Sequence, residues 1–252
     1  MILRRVMAHF RKQEWTAIAI DFLIVVMGVF VGMQVNNWNA ARADRAIATR
    51  HLTEIAEDLR SHLAISDKLY GSALARIAAV DYIYDKAFGK ALPSKLFLSV
   101  ETWAAPETAP FPADKLDNLM GAINLVRVRV SSRSGYESLI SSGHLSLIAN
   151  KDLSRALQLY YDDYDNFLDT GNGIFRAFRT DGAAIYHGLG VSVFDERPAE
   201  EVVALARDNP EFAAYLRSVR EWAILHANLL AQLKVDTEKL LGQIQTELED
   251  RP

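Results

Sequence analysis

Two histidines and two carboxylates in the first third of the chain are spaced for one face of a helix. His51, Glu54, Asp58 and His62 follow one another at steps of three and four residues. At 100° per residue their side chains lie within about 80° of each other. Imidazole nitrogens and carboxylate oxygens in such a pattern bind divalent metals inside helical bundles. These four residues are therefore the candidate metal ligands of this sequence.

The residues between them weaken this interpretation. The same helix carries an apolar stripe that points about 100° away from the histidines. Its members are Leu52, Ile55, Leu59 and Leu63. The histidine and carboxylate face is thus expected at the rim of the core, where charged groups are solvated. We therefore expect no bound metal and no other cofactor, and retain the four residues only as candidates.

Other chemical signatures are weak or missing from the sequence. There is no cysteine among the 252 residues, which excludes disulfides, thiolate zinc sites and cysteine nucleophiles. The chain has no P-loop, dinucleotide fingerprint, H-E-x-x-H or G-x-S-x-G motif. His226 lies on an apolar stripe and is expected to be a hydrogen-bonded core histidine. No catalytic residue is predicted, and a net charge of −4 argues against nucleic-acid binding.

The strongest signal is an apolar run over residues 15–35, in which Asp21 and Gln34 are the strongly polar residues beyond position 16. About 20 helical residues cross about 30 Å, the thickness of the hydrocarbon core. Trp15 and Trp38 flank the run, where aromatic residues anchor at membrane interfaces. The run predicts one transmembrane helix. The alternatives are a buried helix of a soluble protein and a signal peptide cleaved near Ala41-Arg42-Ala43.

Charges around this run indicate its orientation. Four basic residues precede it and three follow it closely, which places the N-terminus in the cytoplasm by a small margin. Residues 1–14 are too short for a folded domain and are expected to form a basic amphipathic helix on an anionic leaflet. The prediction is a cytoplasmic segment 1–14, a membrane helix 15–35 and an extracytoplasmic domain 36–252. We expect a bacterial cytoplasmic membrane.

Asp21 requires an explanation, because an acidic residue inside the bilayer costs about 2 to 3 kcal/mol on the insertion scale. Gly28 and Gly32 lie within about 20° of Asp21 around the helix, and Ala17 lies near the same line. Small residues allow helices to approach closely, and a partner helix satisfies a buried polar group. This face therefore predicts association with a second copy or with another membrane protein. The alternative is that Asp21 is protonated or hydrated without a partner.

The remaining sequence predicts an all-α protein. Apolar residues recur at three- and four-residue steps over residues 36–88, 151–178 and 212–248. Because such helices cannot bury their stripes alone, we expect an antiparallel bundle of long helices outside the membrane. Asn150 and Asn209 are predicted N-caps, and Ser134 to Glu137 has the form of a capping box.

Breaks in the helical pattern are also predicted. Residues 93–112 contain four prolines and are expected to form a loop, whereas residues 113–123 are expected to be helical. The alternation of valine and arginine over residues 126–130 indicates a helix end or a short extended piece. Glycines in residues 170–173 are a point where the next helix kinks or breaks.

Two blocks resemble a family of uncharacterised single-pass bacterial membrane proteins. Residues 25–39, VVMGVFVGMQVNNWN, are followed by a charged helix with HLTEIAEDL at residues 51–59. The family has an apolar span with one acidic residue that runs into a Gln-x-Asn-Asn-Trp-Asn signature, and Asp21 stands where many relatives carry Glu. YESLISSGHLSLI at residues 136–148, with Tyr160 and Tyr161, resembles its later motif. The resemblance implies topology and fold, and it carries no established activity.

The function that we expect is that of a non-enzymatic, membrane-anchored helical module that binds a partner protein or acts as an accessory subunit. A periplasmic metal-dependent hydrolase on the same bundle is the alternative, and a pocket lined by convergent His, Glu and Asp would favour it. A small-ligand sensor is the third possibility and requires a sizeable cavity. Residues 1–35 carry a net charge of +2 and the remainder −6, so a basic anchor precedes an acidic body.

Overall fold

The computed structural model describes residues 15–98, 101–124, 132–193 and 195–250. The predicted amphipathic segment 1–14 and the extended piece at 126–130 lie outside these ranges. Within helix and strand, the side chains of residues 17, 98, 101 and 168–179 are likewise not described. The prediction of an all-α protein is confirmed, since long α-helices make up most of the described chain.

The first helix, α1, runs without a break from Trp15 to Phe88. Its 74 residues extend about 111 Å at 1.5 Å per residue, so the apolar run and the first helix of the soluble body are one element. Gly71 lies inside this helix and does not interrupt it. The helix ends where Gly89 adopts a positive φ of 61° and donates its N–H to the Asp85 carbonyl at 2.8 Å.

Two further long helices complete the bundle. Helix α4 spans Lys151–Gly188 and helix α6 spans Pro210–Glu249. Helix α6 packs along α1 in the opposite direction. Near the start of the body Leu52 and Ile55 share a buried cluster with Ile244, whereas Val80 shares one with Leu216. The predicted antiparallel packing is thus observed, and α4 passes through residues 170–173 without a break.

Two predicted helix starts are confirmed. The Asn150 side chain accepts a hydrogen bond from the Leu153 N–H at 3.1 Å, and the Asn209 side chain accepts one from the Phe212 N–H at 2.8 Å. Each carbonyl oxygen satisfies one of the N–H groups that a helix leaves unpaired at its first turn. A short helix, α5 (Ala199–Asp208), precedes α6.

The other short helices lie between α1 and α4. A 3-10 turn at Ala113–Asn118 leads into α2 at Leu119–Asn124, as the sequence predicts. Helix α3 spans Ser134–Ser141 and is followed by a 3-10 turn at His144–Leu147. The predicted capping box is wrong, because Arg133 is the N-cap and Ser134 the first helical residue, and the Ser134 hydroxyl pairs with that of Ser132.

The proline-rich stretch contains a β-hairpin where the sequence predicts a loop. Strand β1 spans Lys95–Leu98 and strand β2 spans Glu101–Ala104, with Leu96 opposite Trp103 in an antiparallel register. Leu96 and Trp103 pack against Ile77 of α1 and Ile224 of α6. Two short strands are not stable alone in water, so the hairpin depends on this contact with the two long helices.

Candidate functional site

The described residues include one helix long and apolar enough to cross a membrane, and its apolar window lies within α1 near the start of the chain. None of that window is buried: Phe22 is 70% exposed and Phe30 65%. Trp15 and Trp38, at its two ends, are each 60% exposed. The Arg42 guanidinium lies 5.8 Å from the centre of the Trp38 ring. The first buried residue of α1 is Ala48, beyond a stretch of exposed polar helix.

The predicted association face lies on this exposed part. Asp21, Gly28 and Gly32 are exposed, and a Cβ added at either glycine meets nothing within 4 Å. Ala17 lies one turn before Asp21 on the same helix. The helical geometry therefore leaves this face uncovered by the rest of the described chain.

The first buried residues of α1 lie on another side of the helix. Ala48, Ile55 and Leu59 are fully buried and lie about 160° to 200° from Asp21 around the helix axis. Where the body begins, the side of α1 that carries Asp21 and the two glycines is therefore not the side that enters the core.

The four candidate metal ligands have a different environment from the one predicted. Asp58 and His62 have relative exposures of 9% and 1%, and His51 of 7%, whereas Glu54 is half-buried. The prediction of a solvated rim is therefore wrong for three of the four. Helix α1 is covered on a second side by residues 132–148, which we call the docking segment, and periodicity within α1 does not reveal that cover.

Each of the three buried residues contacts the docking segment. His51 Nε2 lies 3.0 Å from His144 Nδ1. The Asp58 carboxylate accepts the Gly135 N–H at 2.8 Å, which caps the first turn of α3 from outside. His62 Nε2 lies 2.9 Å from the Ser132 carbonyl. The polar face of α1 thus fixes the docking segment at three levels along its length.

Gly135 brings the two backbones into contact. A Cβ at this position would lie 2.8 Å from the Ile55 nitrogen and 2.9 Å from the Glu54 carbonyl carbon. Both distances are shorter than real Cβ contacts allow, and backbone atoms cannot rotate away as a side chain does. Glycine is therefore required here by the close approach of α3 to α1. The sequence shows Gly135 only as a residue of the supposed capping box.

His62 also joins the three long helices. Its Nδ1 lies 3.0 Å from the Tyr160 hydroxyl of α4, and that hydroxyl lies 2.9 Å from Thr237 Oγ1 of α6. Burial lowers the pKa of His62 and raises that of Tyr160. Since the Ser132 carbonyl can only accept, the neutral ring carries its proton on Nε2 and accepts the Tyr160 O–H at Nδ1. The arrangement satisfies buried polar groups and leaves no exposed base.

A second buried pair lies farther along the bundle. The Arg76 Nη2 group is 2.9 Å from His226 Nδ1. Burial, together with the Arg76 charge, lowers the pKa of His226 to about 3. The neutral imidazole accepts a hydrogen bond from the guanidinium. His226 is thus a hydrogen-bonded core histidine, as the sequence predicts.

The polar groups do not converge on one open site. In the described ranges, no group of three or more His, Cys, Asp or Glu side chains is arranged to hold a metal ion. A cleft of about 400 Å³ between α4 and α6 has mainly apolar walls with two aspartates, Asp163 and Asp236. A second cleft, of about 550 Å³, lies between the hairpin and α6. No histidine lines either one.

Comparisons with protein-family models, with curated proteins and with solved structures found no match to this chain.

Proposed function

We propose that this chain is a single-pass, membrane-anchored helical module of a bacterial cytoplasmic membrane that acts by binding another protein rather than by catalysis. The observation that carries the proposal is the exposed apolar window of α1, none of which is buried. Leaving an apolar patch of this size in water is unfavourable. A bilayer covers such a helix over its whole circumference.

The proposed orientation has residues 1–14 in the cytoplasm and the bundle outside. Four basic residues before the span against three after it support this direction. The continuity of α1 between Trp15 and Phe88 supports a direct, helical connection between the span and the body. Residues 36–47 then hold the bundle about 18 Å beyond the end of the apolar run.

The proposed interaction surface is the face of α1 that carries Ala17, Asp21, Gly28 and Gly32. Two features support it: Asp21 and the two glycines are exposed, and the two glycines leave open space beside the backbone. A partner helix there satisfies Asp21 and packs against the glycines. The partner is a second copy of this chain or another membrane protein.

Alkaline carbonate extraction of membranes tests the anchor. The unmodified chain should remain in the pellet, and a V25R/V29R variant should move largely to the supernatant, because each arginine near mid-span costs about 3 kcal/mol. The matched control replaces two exposed body residues, T53R and E57R, and should remain in the pellet. Extraction of the unmodified chain itself would contradict the proposal.

Oxidative crosslinking tests the association face, and the lack of cysteine in the chain makes single-cysteine variants unambiguous. A G28C variant should form a disulfide dimer, or a mixed disulfide with a partner, much faster than F30C, which lies about 200° away on the helix. Mass spectrometry of the linked species identifies the partner. Equal linkage at both positions would contradict a specific face.

A further inference from the structure

The second cleft lies in the half of the bundle farther from the apolar run. The proposed function of the chain as an anchored module does not use this cleft. Its volume is about 550 Å³, within the range of small-molecule sites. One wall is the start of the hairpin with the residues just before it, and the other is the first half of α6. Six of its lining residues are apolar: Leu92, Pro93, Leu96, Phe97, Trp222 and Leu225.

The charges in the cleft are mainly positive. Lys95, Arg217 and Arg220 line it, against the single carboxylate of Glu221. Asp81 pairs with Arg220 at 2.6 Å, so the cleft and its immediate ion pair keep an excess of one positive charge. The local charge of the cleft is thus positive, although residues 36–252 together carry a net negative charge.

Both arginines donate hydrogen bonds to neighbouring groups of α1 and of the chain before the hairpin. Arg220 donates through Nε to Asp81 and through Nη1 to the Pro93 carbonyl, the latter at 2.7 Å. Arg217 donates through Nη1 to the Tyr84 hydroxyl at 2.9 Å. A guanidinium has five N–H donors, and these contacts use only part of them. Arg220 is buried and fixed by its contacts, whereas Arg217 is exposed and is oriented by its bond to Tyr84.

An aromatic side chain next to these cations is left in water. Phe97 is 81% exposed, although the neighbouring Leu96 packs against the bundle. Side chains alternate along a strand, so β1 presents one residue to the core and the next to the solvent at the cleft. An apolar ligand body against Phe97 and Trp222 would cover this surface.

We propose that this cleft binds a small amphipathic carboxylate, an acid with an aromatic or aliphatic body. The carboxylate accepts charge-assisted hydrogen bonds from Arg217, Arg220 and Lys95, and the apolar body lies against Phe97 and Trp222. The inference concerns the bundle alone and does not depend on the membrane anchor or its orientation. It makes the bundle a ligand-binding domain.

The test uses the full chain in lipid nanodiscs with 3-phenylpropionate as the probe and 3-phenylpropionamide as its neutral counterpart. Saturation-transfer NMR of the phenyl protons, with empty nanodiscs subtracted, gives the two affinities. We expect saturable binding of the acid and an affinity for the amide that is lower by about tenfold or more, because the amide loses the charge-assisted hydrogen bonds.

Variants locate the binding. K95Q/R217Q removes two exposed charges and should weaken binding of the acid by about tenfold, and F97S should weaken acid and amide alike. The control R155Q removes an exposed charge on α4 and should bind as the unmodified chain does. Equal affinity for acid and amide, equal loss in R155Q, or no saturable binding of the acid would each overturn the proposal. So would a change of oligomeric state in K95Q/R217Q, which would mean that another copy covers the cleft.

Discussion

At the scale of single residues, the buried polar groups of this bundle serve packing. Asp58 caps a turn of α3, and His62 links α4 to the docking segment. Their spacing resembles that of metal ligands, yet each side chain is oriented toward a different partner. The sequence places them correctly on one face, but their partners are 70 to 98 residues away along the chain. Such contacts are not encoded in the local pattern.

Gly135 gives a direct prediction at this scale. A G135A change should lower the free energy of unfolding by about 1 to 3 kcal/mol, since the added methyl meets backbone atoms of α1. The matched control is G71A, at an exposed helical position with open space beside it, which should be neutral or stabilising by up to about 1 kcal/mol. Urea unfolding of both variants in detergent measures the two effects. Equal shifts would contradict the close backbone approach.

His226 gives a pH prediction. The unfolded chain binds this proton near pH 6.5, whereas the folded chain binds it only near pH 3. The unfolded state therefore holds more protons between these values, and the free energy of unfolding falls as the pH drops, by at most about 1.4 kcal/mol per pH unit. The lowered pKa of His62 acts in the same direction.

Urea midpoints at pH 7.5 and pH 5 measure this loss. In H226Q, which keeps an acceptor for Arg76 and does not titrate, the difference between the two midpoints should shrink. The control H187Q alters an exposed histidine and should leave the difference unchanged. An unaltered difference in H226Q would show that His226 is not the group responsible.

At the scale of elements, the helices follow from sequence and the hairpin does not. The long helices have apolar residues at every turn, and Asn150 and Asn209 mark two starts. Strands β1 and β2 have four residues each and lie among prolines, so neither alternation nor length identifies them. They form because Leu96 and Trp103 find a buried patch on two distant helices. The hairpin therefore depends on tertiary contacts, which the local sequence pattern does not show.

The contribution of the Asn209 cap to the stability of α6 can be tested by substitution. An N209A change should destabilise the fold by about 1 kcal/mol, because the Phe212 N–H loses its acceptor at the helix start. N166A, at an exposed position inside α4, should have a neutral or slightly stabilising effect, since alanine favours the helix interior. Urea unfolding compares the two. A loss in N166A as large as in N209A would exclude a specific capping effect.

At the scale of the whole molecule, α1 has two parts with different surfaces. Residues 48–88 supply part of the bundle core, whereas the apolar window nearer the start of the helix has no buried residue. The sequence predicts this division because apolar residues cover the full circumference of the helix in one part and a single stripe in the other. The sequence does not predict how the docking segment and the hairpin pack against the long helices.

The most direct measurement of the anchor is cysteine accessibility in spheroplasts, using single-cysteine variants and a maleimide that does not cross membranes. A64C, at an exposed position of the body, should react from outside without permeabilisation. F30C, inside the apolar run, should react only after the bilayer is dissolved. Reaction of F30C in intact spheroplasts at the rate of A64C would contradict the membrane span, and protection of A64C until permeabilisation would reverse the proposed orientation.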